Sequence, residues 1–315
     1  MPELPEVEAL RRSLVRYIVG RKIKSVKVLQ DKIIAGKGTK RKGSLDNTVK
    51  FTESLLGKKI IDIKRRAKNL ILVLNDRSIL LVHLKMTGQL VFQPLPKSLP
   101  KREGLASSIV QGGHPIEESE TKLPHKHTYI IFELDNGTLY YNDVRQFGYV
   151  LYFENENVLE TEKHFDSIGV EPFDKEFTYA YFQSEVEKLE KRKIKTPIKK
   201  ILLDQKIVVG CGNIYCDEVL WKSGVLPTRA ISKLSNEETR KLYNNIIDIL
   251  DKAINSGGSS VANYLLADGK RGNYADYHNV YQKQDTICKK KGCPGIIKKT
   301  TFVGRGTHFC PVHQI

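Results

Sequence analysis

Pro2 directly follows the initiator methionine, with Glu3 and Glu6 close behind it. Removal of Met1 is expected before so small a residue. It exposes a secondary amine with a pKa of about 8, which leaves a neutral, nucleophilic fraction near neutral pH. An amine beside two carboxylates has the parts of a covalent catalyst: a nucleophile and groups that move protons. The same residues also suit a helix start, with Pro5 in the first turn and acidic side chains facing the helix dipole.

A second constellation lies at the other end. Four residues separate Cys288 from Cys293, sixteen more precede Cys310, and His313 follows after two. Two ligand pairs in short knuckles, joined by a hairpin-sized spacer, are the pattern of a structural Zn2+ site. A tail this short buries little core, so a metal would supply folding energy it otherwise lacks. His308 competes for the fourth position, but the Cys-x-x-His spacing favours His313. A zinc closed by four protein ligands has no open position, so the expected role is architectural. From Cys288 onward the tail carries six Lys or Arg and no Asp or Glu. Arg305 stands between Gly304 and Gly306, where a tight turn would aim one guanidinium at a phosphate.

The third site is the run from Leu202 to Tyr215. Gly210 and Gly212 let backbone amides point outward, Asn213 sits where a helix N-cap belongs, and Lys206 adds charge nearby. Helix N-termini with free N–H groups bind phosphate. Cys211 and Cys216 have no second pair close in sequence and read as packing residues.

These residues need a scaffold. Leu4, Val7, Leu10, Leu14 and Ile18 recur at helical spacing. Residues 22–29 alternate like a strand, and 35–46 reads as a basic loop. Strands are predicted over 59–65, 69–74, 78–84, 129–134, 138–141 and 149–153, with Asp135-Asn136-Gly137 as a hairpin turn. Residues 95–126 form a long insert without periodicity. The pattern breaks over 155–178, where a linker is placed, and then becomes helical: 182–189, a helix from Thr196-Pro197 toward Leu203, another from Asn213 to about Gly224, and 237–256 ended by Gly257-Gly258. The result is an α+β chain: a strand-rich sandwich or barrel-like body with a helix, then helices, then a cysteine-bearing tail.

Composition narrows the function. The chain has 315 residues, with 52 Lys+Arg against 36 Asp+Glu, for a formal charge of +16. Such an excess predicts an anionic partner, with nucleic acid the first choice. At 40% hydrophobic residues the chain has enough apolar material for cores, which excludes global disorder. No apolar run approaches the length of a membrane span, the acidic start lacks a secretory pattern, and five cysteines do not make a disulfide framework.

Several motifs together resemble the formamidopyrimidine-DNA glycosylase family, the bifunctional base-excision enzymes for oxidised purines. They are the Pro-Glu-Leu-Pro-Glu-Val-Glu opening, Arg65-Arg66-Ala67-Lys68, His83-Leu84-Lys85-Met86-Thr87-Gly88, Gly-Asn-Ile-Tyr at 212–215, and the zinc tail with Gly304-Arg305-Gly306-Thr307. Their shared order is specific, and the resemblance covers nearly the whole chain. Leu4 with Val7 resembles the purine-lesion branch more than the endonuclease VIII branch, which acts on oxidised pyrimidines.

The resemblance implies an N-terminal catalytic β-sandwich over 1–160 with flanking helices, a helix–two-turn–helix domain over 178–280 and a zinc finger over 283–315, with DNA in the cleft. It implies that Pro2 attacks the sugar C1′, that Glu3 protonates the opening ring, that Glu6 supports the site, and that Lys68 contacts the lesion and its phosphate, with Arg305 gripping the backbone. Met86, Arg145 and Phe147 would fill the hole left by an everted base. His127, Lys206 and Asn213 would hold the backbone, and 267–282 would cover the base. The expected partner is double-stranded DNA with oxidised bases or abasic sites. The expected protein is a cytoplasmic, nucleoid-associated monomer of bacterial type, not bound to membranes.

Three departures stand out. His313 replaces a usual cysteine, Tyr129 takes a place often held by histidine, and the 35–48 and 95–126 loops are long. A relative preferring oxidised pyrimidines, or a non-catalytic sensor of damaged DNA, are the alternatives.

Overall fold

The computed structural model describes residues 1–38, 40–95, 110–112, 122–161, 164–191, 196–259 and 272–315. It divides into two compact units. One comprises Met1–Pro2, Glu6–His164 and Gly257–Asn273, and the other Glu3–Pro5, Phe165–Ser256 and Tyr274–Ile315.

The first unit opens with α1 (Leu4–Ile18), whose Val7, Leu10, Leu14 and Ile18 are each at most 2% exposed. Then come β1 (Ile23–Val28), α2 (Leu45–Leu55), β2 (Ile60–Arg66), β3 (Asn69–Leu74), β4 (Ile79–His83), β5 (Gly88–Pro94), β6 (Val110–Gly112), β7 (Thr128–Leu134), β8 (Gly137–Asp143), β9 (Tyr149–Phe153) and α3 (Glu156–Thr161). The strands form two antiparallel sheets, ordered β1-β7-β8-β5-β6 and β2-β3-β4-β9. Alternate residues of both sheets meet in one core. Leu70, Leu72 and Leu74 of β3 share it with Ile130, Phe132 and Leu134 of β7. The period of two seen in the sequence is thus the spacing of side chains on one face of a pleated strand.

Two helices depart from the sequence reading. Residues 35–46 read as a loop, yet α2 begins within them at Leu45. Ser44 caps it by accepting the Asn47 N–H at 3.2 Å. Only Phe51 and Leu55 of α2 are buried, and the Gly, Lys and Ser residues just before it mark the stretch as loop by composition. α3 falls inside the stretch read as a linker. The 95–126 insert lies mostly outside the described residues, but Val110–Gly112 of it pairs with β5.

The second unit contains α4 (Tyr179–Lys191), α5 (Ile198–Leu203), α6 (Asn213–Ser223) and α7 (Asn236–Asn255), then the hairpin of β10 (Lys298–Phe302) and β11 (Arg305–Phe309). α7 starts with a reciprocal capping box between Ser235 and Glu238. Lys199 of α5 and Asp217 of α6 form a fully buried ion pair at 2.5 Å, and Asp217 also accepts the His308 N–H of β11 at 2.8 Å. One carboxylate therefore ties both helices to the hairpin. Lys199→Met should cost about 3–5 kcal/mol by leaving that carboxylate buried without its cation. Urea unfolding measures this, and a loss below about 1 kcal/mol would contradict it.

Candidate functional site

Pro2 is buried, and its neighbour Glu3 is 3% exposed. The Glu3 carboxylate accepts the main-chain N–H groups of Gly212 at 2.8 Å, Ile214 at 3.0 Å and Tyr215 at 3.5 Å. These are amides at the start of α6, so Glu3 supplies the cap that this helix lacks in its own sequence. The N-cap position is Gly212 rather than Asn213, because a distant carboxylate does the capping. Asn213 is instead the first helical residue, and its Nδ2 donates to the Gly306 carbonyl at 2.7 Å, beside Arg305. Gly212 is required here, since a Cβ would stand 2.4 Å from the Glu3 carboxyl carbon. Leu4 N–H donates to the Gly210 carbonyl at 3.0 Å. The glycine turn thus holds the residues that follow Pro2. Glu6, also 3% exposed, accepts the Ser259 N–H at 2.7 Å and fixes the turn after Gly257-Gly258.

Lys68 sits in the two-residue turn between β2 and β3, where Ala67 has φ +53°. Arg65 organises this turn. Its guanidinium donates to the Ala67 carbonyl at 3.0 Å and reaches Glu8 of α1 at 3.3 Å. Burial tends to raise the Glu8 carboxyl, but Arg11, Arg12 and Arg65 outweigh it and hold it below its ordinary range. Lys68, 7% exposed, lies close enough to other cations to disturb them. Burial, then Lys68 and Arg41, lowers the Lys85 ammonium, and burial, then Lys85 and Lys68, keeps the His83 imidazole well below its usual value.

The three residues expected to fill a base-sized hole come together although Met86 is far from the other two in sequence. Arg145 donates to the Met86 sulfur at 3.0 Å, and its guanidinium lies 4.7 Å from the Phe147 ring centre. Phe147 is 37% exposed. Beneath them, buried Asp143 accepts the Thr87 hydroxyl at 2.5 Å and the Gly148 N–H at 2.7 Å, while the Thr87 oxygen accepts the Arg145 N–H at 3.0 Å. His127, half-buried, gives its carbonyl to the Asp143 N–H at 3.0 Å. Tyr129 accepts the Gln146 amide at 2.6 Å, so its hydroxyl has a structural partner in this loop. Sequence reasoning missed Asp143 and Arg41, because no spacing marks residues whose partners, such as Thr87 and Gln146, are remote in sequence.

In the second unit, the sulfurs of Cys288, Cys293 and Cys310 all lie within 4.8 Å of one another. Peptide N–H groups of Gly295 and His313 approach Cys293 and Cys310, each at 3.4 Å, and the Trp221 indole N–H approaches Cys288 at 3.3 Å. Such donors stabilise thiolates bound to a metal. This cluster can bind a metal. The expected fourth ligand, His313, is not gathered with the three sulfurs: its ring Nε2 donates to the Trp221 carbonyl at 2.8 Å, and only its peptide N–H approaches the cluster. His308, the rival ligand, points its Nδ1 at Asp217 at 3.3 Å and its ring at Tyr281. Glu218 of α6, missed in the sequence, accepts the N–H groups of Asn279, Val280 and Tyr281 and anchors the chain leading into the cluster.

Arg305 is exposed on the β10–β11 hairpin, whose turn residues Val303 and Gly304 have φ +51° and +68°. Two consecutive left-handed residues make the two-residue turn that best suits the twist of a hairpin. Lys206 is exposed on the turn before α6. Of the expected base-covering segment 267–282, residues 267–271 lie outside the described residues. Tyr274 beyond them packs on Tyr215 with ring centres 5.5 Å apart.

A sandwich unit that includes the buried Pro2, a helical unit with a glycine turn, and a cationic hairpin beside three gathered cysteines define a DNA glycosylase of the helix–two-turn–helix class. The formamidopyrimidine-DNA glycosylase N-terminal domain matches residues 1–150, and the H2TH domain of the same glycosylases matches residues 168–264. The chain is 36% identical over 315 residues to the formamidopyrimidine-DNA glycosylase of Bacillus cereus, spanning 100% of this chain and 99% of that one. It is 36% identical over 311 residues to that of Streptococcus pneumoniae, spanning 99% and 98%. A solved complex of Lactococcus lactis Fpg with DNA containing an abasic site superposes with TM-score 0.79 at 33% identity, covering 99% of both chains. The chain belongs to the formamidopyrimidine-DNA glycosylase family of base excision repair.

Proposed function

We propose that the chain is a bifunctional glycosylase and abasic-site lyase that removes oxidised purines, 8-oxoguanine and formamidopyrimidines, from double-stranded DNA. The observation that carries this reading is the convergence of Met86, Arg145 and Phe147 on one scaffold. A half-buried methionine with an exposed guanidinium and ring beside it gains by insertion into a base stack that has lost a member. The solved Lactococcus lactis complexes include one with DNA containing Fapy-dG.

In this reading the Pro2 nitrogen, freed of Met1, attacks C1′. The glycosidic bond breaks, and its electron pair leaves with the base. Glu3 gives a proton to O4′ as the C1′–O4′ bond opens, producing an iminium ion between proline and sugar. The cation acidifies the C2′ proton. Its removal expels the 3′ phosphate by β-elimination, and a further proton loss expels the 5′ phosphate by δ-elimination. Lys68 contacts the lesion and holds its phosphate. Glu6 keeps the 257–259 turn in place, and His127, Lys206, Asn213 and Arg305 grip the backbone. Several neutralised phosphates make affinity fall steeply with salt.

The residues of the tail fit Zn2+. Cys288, Cys293 and Cys310 would hold it, with His313 as the fourth ligand. When bound, the metal supplies folding energy to the hairpin. The functional division is 1–160, 178–280 and 283–315, and the site of action is the nucleoid. No helix among the described residues is long and apolar enough to cross a membrane.

Borohydride trapping tests the reading. Reduction of the iminium should yield a stable protein–DNA adduct on an 8-oxoguanine duplex. Efficient trapping on oxidised pyrimidines with little on 8-oxoguanine would assign the chain to the other substrate class. Tight binding without any adduct would make it a sensor.

A further inference from the structure

Arg41 lies in the basic 35–48 stretch, for which neither the motifs nor the proposed mechanism supplies a role. Its guanidinium is half-buried and directed at main-chain oxygens. Nη2 donates to the carbonyls of Gln146 at 2.7 Å and Gly148 at 2.6 Å, and Nη1 donates to the Gly36 carbonyl at 3.2 Å. The first two carbonyls flank Phe147. They belong to a strained segment, because Gln146 has φ +54°, a left-handed conformation that side chains other than glycine resist. Gly148 is pressed against β8 so closely that a Cβ would lie 2.0 Å from the Tyr141 hydroxyl. Asp143 restrains the same segment through the Gly148 N–H, and Tyr129 through the Gln146 side chain. Arg41 holds the Gln146 carbonyl, which belongs to the peptide plane entering Phe147, and Asp143 holds the plane leaving it through the Gly148 N–H, so the two together set the direction of Phe147. Burial lowers the Arg41 pKa, while Tyr141, Asp143 and Tyr149 oppose it.

We propose that Arg41 is a positioning residue. By clamping the carbonyls on either side of Phe147, it presets the Arg145–Phe147 wedge and so speeds excision from intact duplex. The proposal rests on the function given above. Its signature is selective. The wedge matters where a base must be displaced from a stack, and not where an abasic sugar already lies open in a single strand.

The test compares wild type, Arg41→Gln, Arg41→Lys, Phe147→Ala and the double variant Arg41→Gln/Phe147→Ala under single-turnover conditions. Arg41→Gln should slow excision of 8-oxoguanine from duplex about tenfold or more, the scale of losing charge-assisted hydrogen bonds. Strand cleavage at a single-stranded abasic site should stay within about twofold. Arg41→Lys should restore part of the duplex rate, because one ammonium keeps the charge but lacks the planar fork. The double variant should be little worse than Phe147→Ala alone, since both act through one ring. The fluorescence rise of 2-aminopurine placed opposite the lesion, which reports wedge insertion without catalysis, should shrink in Arg41→Gln. Equal losses on both substrates would reduce Arg41 to a general stabiliser and overturn the proposal, as would an unchanged duplex rate. Wild type inert on both substrates would instead overturn the proposed function itself, a result that needs no variant.

Discussion

Replacing Pro2 with glycine should eliminate the borohydride-trapped adduct and lower base excision by about 10²–10⁴-fold, the scale on which a positioned reactive group contributes. Proline supplies a secondary amine that passes directly to an iminium cation, and its ring restricts the direction of the nitrogen lone pair. Glycine offers a primary amine on the most flexible residue available. The change leaves Glu3 on the amides of Gly212 and Ile214, so the fold around α6 should persist and the loss should be chemical. A companion form with an additional residue ahead of Pro2 should be equally inert, because an amide nitrogen has no basic lone pair to donate. Circular dichroism and unmodified-DNA binding would confirm that both forms are folded. An adduct of normal yield from the acylated form would transfer the nucleophile to another amine, with Lys68 the first to examine.

Chelation should produce the second large effect, a fall in DNA affinity of about 100-fold or more at moderate salt, while the N-terminal sandwich stays folded. The local core beside the cysteines is small: Val280, Cys288, Ile297 and Cys310, with Trp221 and Cys293 packed on it. The β10–β11 hairpin has five paired residues on each strand, and most of the side chains of β10 are exposed. A two-stranded ribbon with so little apolar cover is marginal alone. Without metal, three mutually close sulfurs no longer hold its ends, and Arg305 loses its fixed place along with the tail lysines. Zinc release measured with a colorimetric chelator, followed by fluorescence anisotropy at several salt concentrations, separates the outcomes. A lower affinity together with a shallower salt slope is expected, because fewer phosphates are neutralised. Unchanged binding after verified metal loss would show that the hairpin stands without the ion.

Much of this protein was legible before any coordinates. The helical spacing from Leu4 to Ile18, the alternation along 69–74 and 129–134, and the cysteine pairs of the tail are local patterns, and local geometry reproduces them. The order of the motifs identified the family without a fold. Local rules failed where the decisive partner was remote. Asn213 has the composition of a helix cap, yet Glu3 takes that place from 209 residues away. Ser44 started a helix within a stretch that composition marks as loop.

What the sequence determined by itself was the inventory of chemistry: a proline next to the initiator methionine, carboxylates near it, sulfurs in pairs, and a surplus of cations. Tertiary structure alone decided which of these groups meet. It brought Met86 to Arg145, set Arg41 on the carbonyls around Phe147, and buried Lys199 against Asp217. The physical reason is that periodicity reports which face of an element avoids water, whereas a contact between groups remote in sequence depends on register and topology, and neither leaves a mark in the spacing of residues.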